Sequence, residues 1–495
     1  MTPSPPPSSL TQRAAHAAWW SFLEVGTRYL VQFGLMVALA RLLTPSDFGV
    51  MAILLAFTSF TALLVEGGMG SALIQRQTTS ANDETSVFWV NLGLGCVLAL
   101  LLSCLAPSIA GFYAQPALVP LLGVLLWVLP LGALATVPNA VLSQRLDFRR
   151  RAIAELLASV GSAALALWLA LQGFGVWSLV WQVIAAALIR ACLLWRLSGW
   201  RPTGRFDGDA FLRLFRFGGW LLLANALNLI SVRLQSLLIG KLFDARTLGL
   251  YAMAQDTQQA PAQFISSLLN RVGLPMFSSV AGQPVKLAGA LRLALRLSMF
   301  VFAPCMAGIA VVAQPLIMLL YGPQWAEVAP LLAVLALGAL FWPLHVLNLA
   351  ALGALGRPDL VLQMEIAKGL ISIPLVWVAA FFGVQALAWA VFCTSFVCVL
   401  INTWYSQRLL GCGLRSQLRD MMPILLATLL SSAAAWLSLG WTGKPWLDLV
   451  VAVSIAAIAY MAVAVAFRMQ AWIDMLDFLR ILRAGRPPST QGSCP

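Results

Sequence analysis

The chain has 495 residues, of which 61% are hydrophobic and only 10% charged, with a formal net charge of +13. Soluble domains carry roughly a quarter charged residues, so most of this chain cannot face water. That excludes a soluble enzyme, and it makes the basic excess a matter of membrane topology rather than of nucleic-acid binding.

Residues 1–15 open with a Pro/Ser-rich stretch and are expected to form a disordered cytoplasmic N-terminus without a cleavable leader. A spanning helix needs about 20 apolar residues. On that rule residues 16–195 hold six spans: Trp19–Leu39, Phe48–Leu73, Val87–Ile109, Val119–Leu142, Ala152–Leu171 and Val176–Trp195. A basic cytoplasmic linker follows at 196–216, whose apolar run from Phe211 to Phe217 suits either a headgroup-level segment or a solvated connection. Residues 217–405 hold six more spans: Phe217–Phe243, Leu248–Phe277, Leu297–Leu319, Ala329–Leu352, Leu360–Phe381 and Val384–Tyr405. A second linker, 406–421, leads to a terminal pair within 422–467, Met422–Leu439 and Leu447–Phe467, and then to a cytoplasmic tail at 468–495. The expected fold is an all-α polytopic membrane protein of about 14 transmembrane helices, two six-helix bundles plus a C-terminal pair.

The two bundles echo each other. Ala40 to Val50, ARLLTPSDFGV, returns without a gap as Gly240 to Leu250, GKLFDARTLGL, pairing Leu42 with Leu242 and Gly49 with Gly249. Tyr113 followed by Pro120-Leu121-Leu122 answers Tyr321 followed by Pro330-Leu331-Leu332, and Gly175-Val176 answers Gly383-Val384. A repeat this long is no solenoid; it suits the internal duplication that many transporters carry.

Lys and Arg near helix ends stay on the cytoplasmic side. With the N-terminus inside, the basic clusters at Arg145 to Arg151, Arg196 to Arg216, Lys286 to Arg296 and Arg468 to Arg486 all fall inside, so both termini are expected to be cytoplasmic. The eight cysteines form no pair with metal or redox spacing, and the two histidines are isolated, His16 near the first span and His345 within the tenth. His345 suits either a proton relay or a packing hydrogen bond with Asn348. No phosphate-binding glycine loop or nucleophile motif stands out, so no enzyme activity, cofactor or metal is expected.

The informative residues are charges placed in hydrocarbon, each costing roughly 2.5–3.5 kcal/mol on insertion scales. Glu24 and Arg28 share one face of the first helix and can pair there. Arg28 lies about 14 Å along from Trp19, near mid-membrane. Arg233 lies about 16 Å from the outer end of the seventh helix and Asp256 about 10 Å into the eighth, where the two could pair. Arg271 could snorkel to cytoplasmic lipid, and Glu66, Glu155, Arg190, Glu365 and Lys368 read as interfacial anchors or structural ion pairs. The alternative for the arginines is an anionic ligand, since guanidinium offers charge and bidentate donors to phosphate. A sugar would add polar needs that Gln32, Asn225, Asn228, Gln235, Gln255, Gln258, Gln259 and Gln263 could serve. The candidate substrate-binding set is therefore Arg28, Arg233, Arg271, Gln32, Asn228, Gln255 and Gln259, with Glu24 and Asp256 as candidates for coupling to H+ or Na+.

ARLLTPSDFG at Ala40 to Gly49, GGMGSALIQR at Gly67 to Arg76, FWVN at Phe88 to Asn91 and GFGVWSLV at Gly173 to Val180 together resemble the Wzx-type polysaccharide transporters. That family belongs to the multidrug/oligosaccharidyl-lipid/polysaccharide export superfamily, and the resemblance spans Trp19 to Tyr405. It implies a V-shaped pair of bundles in the bacterial inner membrane and a flippase for undecaprenyl-pyrophosphate-linked oligosaccharide. Such a protein serves exopolysaccharide or O-antigen (lipopolysaccharide) assembly, alongside a polymerase and related proteins in the bilayer. Where members of the family carry an acidic residue a few positions before the Ile-Gly of the seventh helix, this chain has Gln235 before Ile239-Gly240. Two rival readings are a cation-coupled multidrug exporter, which would want acidic cavity residues, and a non-transporting scaffold for polysaccharide assembly.

Overall fold

A computed structural model describes residues 10–67, 69–70, 73, 80–145, 147–208, 219, 222–223, 226, 229–230, 233–280, 282–355 and 358–484. Within these, the side chains of 10–25, 264–276, 278–279, 284, 358–359, 361–362, 478–479 and 481–484 fall outside the description. All regular structure among the described residues is helical. Contacts group the chain into two units, Met1–Met253 and Ala254–Pro495.

The first unit contains α1 (Leu10–Leu42), α2 (Pro45–Glu66), α3 (Ala81–Tyr113), α4 (Leu118–Leu125), α5 (Val128–Gln144), α6 (Phe148–Leu171), α7 (Val176–Ser198), helical residues 233–242 and the start of α8 (Ala245–Ser279). The rest of α8 belongs to the second unit, with α9 (Pro284–Val311), α10 (Ala313–Leu320), α11 (Val328–Ala339), α12 (Trp342–Ala354), α13 (Pro358–Ala380), α14 (Val384–Leu410), α15 (Leu414–Ser438), α16 (Pro445–Ala466) and α17 (Gln470–Ala484). Among the described residues, 11 helical stretches are long and apolar enough to cross a membrane, each overlapping an expected span. Expected spans Trp19–Leu39 and Leu248–Phe277 lie within α1 and α8, while much of Phe217–Phe243 lies outside the described residues. Outward faces are apolar: Trp168, Phe382 and Ile458 are all more than half exposed, which suits lipid and not water. The chain is a multi-pass membrane protein.

Local sequence sets the helix boundaries. Thr44 caps α2 in a capping box: its hydroxyl accepts from Asp47 N–H, and the Asp47 carboxylate accepts from Thr44 N–H at 2.9 Å. Pro45 at the first helical position loses nothing, because that N–H has no partner within the helix. Two hundred residues on, the chemistry is exchanged, with Asp244 accepting from Thr247 N–H at 2.9 Å ahead of α8. Ser80 and Asp83 make a second capping box for α3. Gly175 and Gly383, the third repeated pair, both have positive φ, 55° and 108°, just before α7 and α14. That backbone is open to glycine at no steric cost.

Three expected spans are interrupted by prolines whose missing N–H and ring conflict with the carbonyl four residues back. Pro130 follows the break between α4 and α5, Pro343 follows that between α11 and α12, and Pro315 follows that between α9 and α10. The matched breaks in Leu118–Gln144 and Val328–Ala354 carry the duplication into the fold. So does tyrosine packing. Tyr113 meets Phe57 of α2 edge-on at 6.2 Å, while in the second unit the Tyr321 hydroxyl lies 2.9 Å from that of Thr257, two hundred residues after Phe57.

The repeated motif also meets its own copy. A Cβ on Gly49 would overlap the Ala245 carbonyl and stand 3.0 Å from Gly249 N; a Cβ on Gly249 would overlap the Pro45 carbonyl and stand 3.0 Å from Gly49 N. The backbones of α2 and early α8 therefore touch at equivalent residues, a close approach of the kind small residues permit between membrane helices.

The basic linker is docked where it is described. Trp200 Nε1–H donates to Glu84 Oε2 at 2.7 Å, and the N–H groups of Gly204, Arg205 and Asp207 donate to Thr85, Asn82 and Ser86 at 3.1, 2.9 and 2.8 Å. The first turns of α3 thus supply side-chain acceptors for an extended backbone. Residues 209–218, which include the Phe211 to Phe217 run, lie outside the described residues. α17 is an amphipathic helix that hydropathy alone did not single out. Its Asp474 accepts from Arg296 Nε at 2.7 Å, and Arg292 of α9 grips Asp420 of α15 in a bidentate pair at 2.6 and 2.7 Å.

Candidate functional site

In α1, Arg28 is half-buried with its guanidinium carbon 5.7 Å from the Tyr29 ring centroid. Its Nε is buried and has no hydrogen-bond acceptor among the described residues. A guanidinium has five N–H donors and no acceptor, so this one retains capacity for an anion. Gln32, one turn on, is exposed. The side chain of Glu24, the expected helical partner of Arg28, lies outside the described residues, as do those of Arg271, Asn225 and Asn228.

Arg233 is half-buried at the start of helical residues 233–242. Two residues on, the Gln235 carbonyl oxygen accepts from the hydroxyl of Tyr251 at 2.8 Å, and Tyr251 is fully buried. The position at which relatives are expected to be acidic thus holds a neutral, satisfied hydrogen bond in this chain. A buried amide–phenol pair avoids the desolvation that a carboxylate would incur there.

α8 carries the expected glutamine belt. Gln255 and Gln259 are half-buried, Asp256 is exposed and Gln258 is buried. Gln263 Nε2–H donates to Gln259 Oε1 at 3.1 Å along the helix. Positions 255, 259 and 263 recur every four residues, so they stack on one face.

Ion pairing accounts for two of the residues expected at inner helix ends, since Arg190 lies 3.7 Å from Glu155. Other arginines of the basic clusters serve as caps. Arg145 and Arg150 donate to the carbonyls of Ser198 and Leu197 at the C-terminal end of α7, where the helix dipole favours cations. Lys368 is different, being only 4% exposed. It pairs with Glu365 at 2.9 Å and approaches His345 Nδ1 at 3.5 Å, so this ion pair lies deep among α12, α13 and α14 and does not anchor at the surface. His345 does not bond Asn348. Its Nδ1 takes Asn402 at 2.9 Å, while Asn348 exchanges amide hydrogen bonds with Gln417 and accepts from Ser406 at 2.6 Å. Sequence spacing could not reveal these groupings, since the partners are 57 and 69 residues apart in the chain. The available signal was that each polar residue stood alone in an apolar span.

The protein family described as polysaccharide biosynthesis protein matches residues 38–330. The chain is 30% identical over 337 residues to the succinoglycan biosynthesis transport protein ExoT of Rhizobium meliloti (strain 1021), covering 68% of this chain and 67% of that protein. It is 25% identical over 468 residues to the teichuronic acid biosynthesis protein TuaB of Bacillus subtilis (strain 168), covering 92% and 95%. Among solved structures it resembles the lipid II flippase MurJ in an inward closed conformation, with a TM-score of 0.75 at 14% identity over 91% of this chain and 99% of that one. An inward-facing MATE-family multidrug resistance transporter follows the same fold, with a TM-score of 0.62 at 14% identity over 78% and 94%.

Proposed function

This chain belongs to the polysaccharide biosynthesis protein family, and we propose that it is a flippase for undecaprenyl-pyrophosphate-linked oligosaccharide repeat units. It moves them by alternating access from the cytoplasmic to the periplasmic leaflet of the bacterial inner membrane, with both of its termini in the cytoplasm. The observation that carries this reading is the relatedness, over two thirds of each chain, to a protein described as a succinoglycan biosynthesis transport protein. A relative matched along nearly the whole chain serves teichuronic acid synthesis, which supports the same class of cargo.

The residues suit that cargo. A pyrophosphate leaving water needs cationic donors, and Arg28 has a buried Nε–H without an acceptor among the described residues. Arg233 and Arg271 are further candidates for the anion, with Gln32, Asn228, Gln255 and Gln259 for the sugar. The prenyl chain stays in the lipid while the headgroup crosses. Release outward requires weaker binding in that state, and H+ or Na+ at Glu24 or Asp256 would supply the difference in charge. A polymerase and other assembly proteins act on the delivered units. A multidrug exporter is the second reading, favoured by the likeness to a MATE transporter fold; it expects transport of cationic drugs and indifference to Arg28.

The test is the leaflet distribution of lipid-linked repeat units, together with polymer output, in cells lacking the protein and complemented with wild type or Arg28→Ala. Inner-leaflet accumulation relieved by wild type, with at least a tenfold loss of polymer for a normally inserted Arg28→Ala, is the expected result. Unchanged leaflet exchange without the protein overturns the flippase reading.

A further inference from the structure

Glu365 and Lys368, one turn apart on α13, form a contact of 2.9 Å with side-chain exposures of only 15% and 5%. Such a pair costs more desolvation than it returns in stability when apolar residues of similar volume could replace it. His345 of α12 approaches the same ammonium, its Nδ1 3.5 Å from Nζ. An amide nitrogen only donates, so the 2.9 Å bond from Asn402 makes Nδ1 an acceptor, and the neutral ring carries its proton on Nε2. Asn402, on α14, is fully buried, and its Oδ1 has no hydrogen-bond partner among the described residues. The adjoining Asn348, Gln417 and Ser406 are mutually bonded. One group of buried polar residues is thus a closed clasp, and the other holds a charge pair beside an empty acceptor.

We propose that Glu365, Lys368, His345 and Asn402 form a proton-binding switch inside the second unit. A hydronium ion from the aqueous phase passes its proton to the Glu365 carboxylate: one O–H bond of hydronium breaks and leaves water, one carboxyl O–H bond forms, and the charge of the group rises from zero to plus one. The Lys368 ammonium, no longer held by an anion, leaves Glu365 and His345 Nδ1 and donates to Asn402 Oδ1. Loss of the proton returns it. Among the described residues, the Cys398 thiol of α14 is a further titratable group near the pair. Arg292 and Arg296 of α9 and Asp420 of α15 are engaged with one another and with Asp474 of α17. This switch is separate from the candidates Glu24 and Asp256, and it stands whatever the transported molecule is.

The test uses the full chain in lipid nanodiscs, without substrate. Infrared difference spectra between neutral and mildly acidic buffer read carboxyl protonation, and 15N-histidine magnetic resonance reads His345. The chain has 2 histidines, so His16→Gln assigns the signal. Wild type is expected to gain a protonated-carboxyl band on acidification, absent from Glu365→Gln, with a parallel shift of the His345 Nδ1 resonance. In Lys368→Met the unpaired buried Glu365 is expected to be protonated already in neutral buffer, so both the difference band and the imidazole shift are lost. A wild-type spectrum without the band, the same band in Glu365→Gln, or a His345 resonance that follows sodium at fixed pH and not acid overturns the proposal. The wild-type readings do not depend on any variant folding.

Discussion

Replacing Gly49 with alanine sets two backbone effects against each other. Alanine in a helix interior is favoured over glycine by up to about 1 kcal/mol. At Gly49, however, the new methyl would sit inside the van der Waals envelope of the Ala245 carbonyl and within 3.0 Å of Gly249 N. Both are main-chain atoms, so no rotamer change relieves the overlap, and α2 and α8 must part. Overpacking of a tight contact costs typically about 1–3 kcal/mol, and main-chain obstruction puts Gly49 at the top of that range. A net loss of about 2 kcal/mol is expected. Gly93→Ala in α3 is the internal control, because none of the described residues comes within 4 Å of its added Cβ; it should be neutral or stabilising. The double change Gly49→Ala/Gly249→Ala should cost less than the two single changes together, since helices already parted for one methyl admit the second. Unfolding of the purified variants in mixed micelles measures all four. A Gly49→Ala protein as stable as Gly93→Ala, or strict additivity in the double variant, would refute the close-crossing argument.

Asp474→Ala removes the 2.7 Å charge-assisted bond from Arg296 and should destabilise the docking of α17 by about 1–2 kcal/mol; limited proteolysis should then cut after α16 at least several-fold faster while the spans stay intact. Glu84→Gln keeps an acceptor for Trp200 Nε1–H but removes its charge, whereas Glu84→Ala leaves that indole unpaired, so protease sensitivity across residues 200–207 should rise for alanine and little for glutamine. The Asp244 carboxyl is held below its ordinary range by the hydroxyl and N–H of Thr247. Its capping of α8 is therefore fully present above the ordinary aspartate pKa of about 3.9 and lost as pH falls through the lowered value. Hydrogen exchange at Thr247 should speed up over that acid range, and Asp244→Asn should flatten the response.

The membrane class, the long helices and the duplication were legible in the chain because each depends on local or periodic information. A run of some twenty apolar residues can satisfy its backbone in lipid only as a helix, and a capping pair such as Thr44 and Asp47 acts over three residues. The prolines at 130, 315 and 343 were equally visible, yet hydropathy averages over them, and the breaks they impose emerged only with the backbone. Local and periodic information thus reveals the spans, where most of them lie and that one half repeats the other. Folding of the whole chain brings Gly49 against Gly249, lays Trp200 to Asp207 against α3, and, of the two readings of Lys368 as interfacial anchor or structural ion pair, selects a pair with Glu365 buried beside His345. Those facts join residues tens to hundreds of positions apart. In an apolar bundle an isolated polar residue must find some partner, and nothing in its own helix says which neighbour will supply it.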